Sequence, residues 1–187
     1  MNDYGIKTRN RIKASLEDLI ETSADNNVTV SKLLKTASVA RSTFYVYYEN
    51  MEDLFEDLAM DYASRIISLI RSNRSSGTGV QSYRDAYEIF INFVAEHKKV
   101  YSMMLKNLKL ERMFLNSIQN YLYEQYLQDF PCKDSKLLQY SAYACTNYVY
   151  SIIKQWAEDG FDKTPEELSN LLTDSIGIAT DIFYSNK

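Results

Sequence analysis

The stretch VTVSKLLKTASVARSTFYVYYENMEDLF, Val28 to Phe55, decides the fold, because it breaks into two short helical runs and the start of a third. Thr29 can cap the first run, which turns Leu33 and Leu34 inward; a break follows near Ser38, and a second run spans about Arg41 to Tyr47. In and beside that second run Phe44, Tyr45, Tyr47 and Tyr48 crowd near a single cation, Arg41. A buried helix would accept the rings but would have to partner every hydroxyl, and a surface helix would gain nothing from the rings. The segment therefore predicts a surface whose partner is polar and charged. Two short helices across a tight turn, the second presenting polar and aromatic side chains, form a helix-turn-helix arrangement.

Upstream, Ile12, Leu16, Leu19 and Ile20 make one stripe of a first helix, expected from Thr8 onward and fading at Ala24 to Asn27. Downstream, Asn50 can cap a long fourth helix, with Glu52 and Asp53 favouring its N-terminal dipole and Leu54, Leu58, Tyr62, Ile66 and Leu69 along it. That helix ends in NRSSGTG, Asn73 to Gly79, the clearest linker of the chain. Further helices are expected at about Val80 to Ala95, His97 to Asn107, Glu111 to Asp129, Ser135 to Glu158 and Pro165 to Tyr184. The fold class is all-α, about nine helices, in a chain with only five glycines and two prolines. The eighth helix is apolar on two faces: Leu138, Ala142, Cys145, Val149, Ile152 and Trp156 form one, Tyr140, Ala144, Tyr148 and Ser151 the other. Either a central core helix or a subunit interface satisfies that pattern.

At 187 residues the chain can bury roughly 70% of its unfolded surface. No run approaches the ~20 apolar residues of a membrane span, and the N-terminus lacks a signal-peptide core, so no membrane partner and a cytoplasmic location are expected. The formal net charge of −4 argues against indiscriminate coating of nucleic acid, but it is uneven. Residues 1 to 48 carry seven Lys or Arg against five acids, +2, which leaves −6 for the remainder and marks the end able to meet phosphate. Cys132 and Cys145 have no neighbours at metal-ligand spacing, so reduced thiols and no metal are expected. His97, the single histidine, has no acid or nucleophile at triad-like spacing, and no Gly-rich phosphate loop or catalytic carboxylate pair is present, so neither enzyme nor cofactor is expected.

Thr8-Arg9 with Ile12 and Ala14, Thr29-Val30, Ala37 and Val39 around the turn, Thr43-Phe44-Tyr45, and Tyr48 before Glu52-Asp53-Leu54 together resemble the N-terminal DNA-binding domain of the TetR family of transcriptional regulators. The remainder is similar to C-terminal domains of one low-GC Gram-positive branch, through His97-Lys98-Lys99-Val100-Tyr101, the Tyr148 to Trp156 run, and Gly160-Phe161 before Pro165 to Leu168. The resemblance implies a DNA-binding domain over residues 1–49, a helical effector-binding and dimerisation domain over 50–187, and helix four, 50–73, linking them. It further implies a homodimer bound to a double-stranded DNA operator, a repressor that a small-molecule effector releases. A competing reading keeps the fold as a protein-interaction module with weakened DNA binding.

Chemistry and family position together assign the expected DNA contacts. Arg41, Ser42 and Thr43 would reach base edges, Tyr45 and Tyr47 the backbone, and Arg9, Thr29 and Lys32 further phosphates. Phe44 is expected to pack. Candidate pocket residues are Phe90, Phe93, Met103, Met104, Phe114 and Tyr121; candidate dimer residues are Tyr140, Ala144, Tyr148, Ser151, Leu172, Ile176 and Ala179. The chain departs from the family pattern at Ser38, where glycine is usual, at Ala40, where a capping serine is usual, at Leu34, where alanine is common, and at Met51, where a lysine usually meets phosphate.

Overall fold

Eight helices follow one another in the computed structural model, which describes residues 3–22, 28–73, 80–131 and 133–172. They are α1 (Asp3–Thr22), α2 (Val30–Ala37), α3 (Arg41–Tyr47), α4 (Met51–Asn73), α5 (Val80–Glu96), α6 (Lys98–Leu105), α7 (Leu108–Asp129) and α8 (Ser135–Glu158). A ninth helical stretch, α9, occupies 165–172, and its expected continuation to Tyr184 lies outside the described residues.

Local chemistry sets the ends. Thr29 Oγ1 accepts from the Lys32 amide at 3.3 Å, and Asn50 Oδ1 accepts from the Asp53 amide at 3.1 Å, so both expected caps are in place. Asn107 Oδ1 accepts from the amides of Lys109 and Leu110, which starts α7 three residues before the predicted Glu111. At the head of α9 the Thr164 amide donates to Glu167 Oε2 at 2.8 Å while the Glu167 amide donates to Thr164 Oγ1 at 3.2 Å, a reciprocal capping box.

The start of α1 corrects the sequence reading. Thr8 looked like the first residue of the helix, but it lies inside it: its hydroxyl donates back to the Tyr4 carbonyl at 3.0 Å, and the helix begins at Asp3.

Most of the core is one continuous cluster with α4 through its middle. The cluster gathers Leu54 and Leu58 of α4 with Ile12, Leu16, Leu33 and Phe44 from the first three helices, and Tyr62 and Ile66 with Phe90, Ile91, Phe93 and Phe114, the Tyr62 ring meeting Phe93 edge-on at 5.4 Å. A smaller cluster, Tyr126, Leu138 and Ala142, closes the far end of α7 and α8. His97 is structural: its Nδ1 lies 3.4 Å from the Tyr62 hydroxyl, and its ring packs on Tyr62 and Phe93. Among the described residues no helix is long and apolar enough to cross a membrane.

Candidate nucleic-acid interface

The interface is built from the turn outward. Ser38 sits in the left-handed region, φ 50° and ψ 48°, where its amide donates to the Lys35 carbonyl at 3.3 Å and the next amide, of Val39, donates to Leu34 at 3.1 Å. This is the Schellman closure that glycine normally makes. An L-residue in that region carries a steric penalty of about 1 kcal/mol, part of which glycine's greater unfolded freedom would cancel. Ser38→Gly is therefore expected to raise stability by roughly 0.5 kcal/mol, read as a higher midpoint in urea unfolding; a lower midpoint would show that the turn is not strained.

Beyond the turn, Ala40 opens α3 with no side-chain cap, as its methyl dictates. Phe44 is fully buried and stacks edge-on against Tyr45 at 5.4 Å and on Tyr48 at 5.6 Å, which anchors the helix by one face. The opposite face carries Arg41, Ser42, Tyr45 and Val46, all exposed. Thr29 and Lys32, at the start of α2, are exposed too. Two expected contacts fit less well: Thr43 is half-buried, and Tyr47 is half-buried against the core. Val46 was missed in the sequence, although it is 74% exposed on the same face as Arg41 and Tyr45. Counting three residues on from Thr43 would have found it.

Arg9 is not a free phosphate ligand. Its guanidinium makes a two-pronged bond to Asp57, Nε to Oδ2 at 2.9 Å and Nη2 to Oδ1 at 2.7 Å, and the Tyr48 hydroxyl donates to the same Oδ2 at 2.7 Å. The hydrogen bond with Tyr48, and then Asp57, raise the Arg9 pKa against the opposing pull of burial. Burial, followed by the bond to Asp57, pushes the Tyr48 hydroxyl well above its ordinary value, so it remains a donor. Two neighbouring ion pairs join the same helices: Lys13 Nζ to Asp61 at 2.8 Å and Arg65 Nη1 to Glu17 at 2.9 Å. The signal for this joint lay in the spacing, Arg9-Lys13-Glu17 on α1 against Asp57-Asp61-Arg65 on α4.

The C-terminal half separates the other candidates. A cavity of about 60 Å³ lies between α4, α5, α7 and α8, and Phe90 and Tyr121 line it. Phe93, Met104 and Phe114 do not; they are buried core, and Met103 is half-buried against that core. On α8 the first apolar face is buried or half-buried, whereas Tyr140, Ala144, Tyr148 and Ser151 are all exposed, Tyr140 at 59% and Tyr148 at 40%. Leu172 is fully buried within the chain and cannot belong to that outer face; Ile176 and Ala179 lie outside the described residues.

Residues 81–177, just over half of the chain, match a TetR C-terminal family model described as a transcriptional regulator C-terminal region. The chain belongs to the TetR family. The matched family is one of transcriptional regulators. The chain is similar to the HTH-type transcriptional regulator YxbF of Bacillus subtilis, 22% identical over 85% of this chain and 42% of that protein. It is also similar to DhaS, the dhaKLM operon transcriptional activator of Lactococcus lactis, 25% identical over 63% of this chain and 59% of that one. The chain thus spans about half the length of these curated relatives. Its fold matches a TetR-family regulator of known structure from Streptomyces coelicolor, TM-score 0.76, 16% identical, covering 100% of this chain and 85% of the other.

Proposed function

We propose that this TetR-family chain is a homodimeric, operator-binding repressor that acts in the cytoplasm and lets go of DNA when a small molecule occupies the cavity between α4, α5, α7 and α8. The observation that carries the reading is the exposed face of α3, held outward by buried Phe44. Arg41 is suited to guanine O6 and N7, Ser42 to either a base edge or a phosphate, and Val46 to a thymine methyl group. Tyr45, Thr29 and Lys32 are suited to phosphate oxygens, which fix register without reading sequence. In this reading residues 1–49 are the DNA-binding unit and residues 50–187 the effector-binding and dimerisation unit, joined by α4.

The outward face of α8 supports the homodimer. Tyr140, Ala144, Tyr148 and Ser151, with exposed Leu137, form a stripe of rings and small residues that suits a second copy. Two recognition helices must then sit roughly 34 to 36 Å apart, so a small change in their separation is enough to lose one half-site. The relative DhaS is named an activator; repression is the sign proposed for this chain, and a reporter fused to the target promoter reads that sign directly.

A fluorescence-anisotropy titration with the DNA flanking its own gene tests the reading. Specific binding that weakens steeply with salt is expected, and an absence of salt-dependent specific binding at low salt would refute it. Met51 gives the same assay a second handle. It is half-buried against the core where the family usually places a lysine. Met51→Lys should keep its stem packed and carry the ammonium outward. The slope of log K against log salt should steepen by about 0.9 per half-site, and an unchanged slope would place position 51 away from the backbone.

A further inference from the structure

The cavity between α4, α5, α7 and α8 is walled mainly by apolar side chains, with Ile66, Ile70, Phe90, Ile118 and Val149 among them; Tyr87, Tyr121, Gln125 and Thr146 bring the polar groups of the lining, and no charged side chain is among the described residues there. Into this wall α8 sets one hydroxyl that the protein does not satisfy. Thr146 is 5% exposed, lines the cavity, and its Oγ1 has no hydrogen-bond partner. Four other serine and threonine hydroxyls on helices avoid that state. Thr8 and Thr22 on α1 donate back to the carbonyls of Tyr4 and Asp18 at 3.0 and 2.6 Å. Ser141 and Ser151, on α8 itself, do the same to Leu137 and Asn147 at 2.9 and 2.7 Å. The equivalent bond back along the helix is not made at Thr146. An unmet buried hydroxyl destabilises the fold, and valine would fill nearly the same space without it. A group that costs stability and faces an apolar cavity is positioned for something the cavity receives.

We infer that the cavity takes a compact neutral ligand carrying one hydroxyl or carbonyl group, bonded by the Thr146 hydroxyl, with its hydrocarbon part against Ile66, Phe90 and Val149. The inference rests on reading this cavity as the effector site. Charge is excluded by the wall, since an ion would leave water with no opposite charge among the described lining residues to meet it. Size follows from the volume: the 60 Å³ cavity is less than half the roughly 150 Å³ apolar cavity that admits benzene. A volume of this size limits the ligand to a short alcohol or ketone of at most about four carbons and excludes a long acyl chain.

Titrating the full chain with 2-butanol, butanone, butyrate and 2-methylbutane, by ligand-observed NMR, tests this. Wild type and Thr146→Ser should bind 2-butanol and butanone; Thr146→Val should bind them about tenfold more weakly, the worth of one hydrogen bond, and bind 2-methylbutane unchanged. Butyrate should bind neither form. The unliganded Thr146→Val protein should also melt a few degrees higher, because the unmet hydroxyl is gone. Equal binding of 2-butanol to wild type and the valine variant, preference for butyrate, or no binding of either neutral probe to wild type overturns the inference. A parallel anisotropy titration with operator DNA separates the two readings: 2-butanol that binds through Thr146 yet leaves DNA affinity unchanged upholds the ligand class and refutes effector release.

Discussion

Asp57→Ala should destabilise the protein by about 2 to 3 kcal/mol, a figure taken below the usual cost of stranding a buried ion-pair partner because Arg9 is partly in water. Asp57 is 16% exposed at its side chain and accepts from three directions: both prongs of Arg9 and the Tyr48 hydroxyl, with Lys13 3.7 Å away. Removing it strands a buried hydroxyl whose ring packs on Phe44, so the loss spreads from the ion pair into the anchor of the recognition helix. Urea unfolding measures the stability, and operator titration measures the consequence for α3. Asp57→Asn keeps the shape and one acceptor and should recover about half of the loss. A change below about 0.5 kcal/mol for the alanine variant would mean that the joint between α1 and α4 is held by its apolar contacts alone.

The second large effect concerns assembly. In a two-fold dimer every substitution appears twice across the axis, so Tyr140→Glu together with Tyr148→Glu should bring four carboxylates into one interface and remove four rings from it. Sedimentation should then show a monomer at micromolar concentration. Operator affinity should fall by more than about a hundredfold, because one recognition helix reads only one half-site. The melting of the isolated chain should change little, since both tyrosines point away from its core. A variant that stays dimeric with unchanged DNA affinity would move the interface off this face of α8.

What could be read from residues alone was local. The bounds of α2 and α3 followed from a cap and a break close by in sequence, Thr29 and Ser38. The break near Ser38 was legible where the first short helix stops, and its left-handed geometry fits the family's usual glycine there. What stayed hidden depended on partners far away in sequence. Arg9 looked available because Asp57, 48 positions on, is invisible to a window of one helix. Phe93, Met104 and Phe114 shared the spacing of Phe90 and Tyr121, and periodicity cannot tell a ring that fills the core from one beside a gap. Thr146 gave no signal at all, since an orphaned hydroxyl is a property of packing rather than of pattern.

The three ion pairs between α1 and α4 have one further property. Arg9 meets Asp57, Lys13 meets Asp61 and Glu17 meets Arg65, always with the same offset, so the two helices lie side by side pointing the same way. Charge along the ladder runs plus, plus, minus on α1 and minus, minus, plus on α4. Sliding α1 by one helical turn, about 5.4 Å, sets Glu17 against Asp61 in one direction and Lys13 against Arg65 in the other. Each slip brings like charges face to face, so the sign change at the third rung works as a ratchet stop. The head of the protein has only one notch on α4 in which to sit.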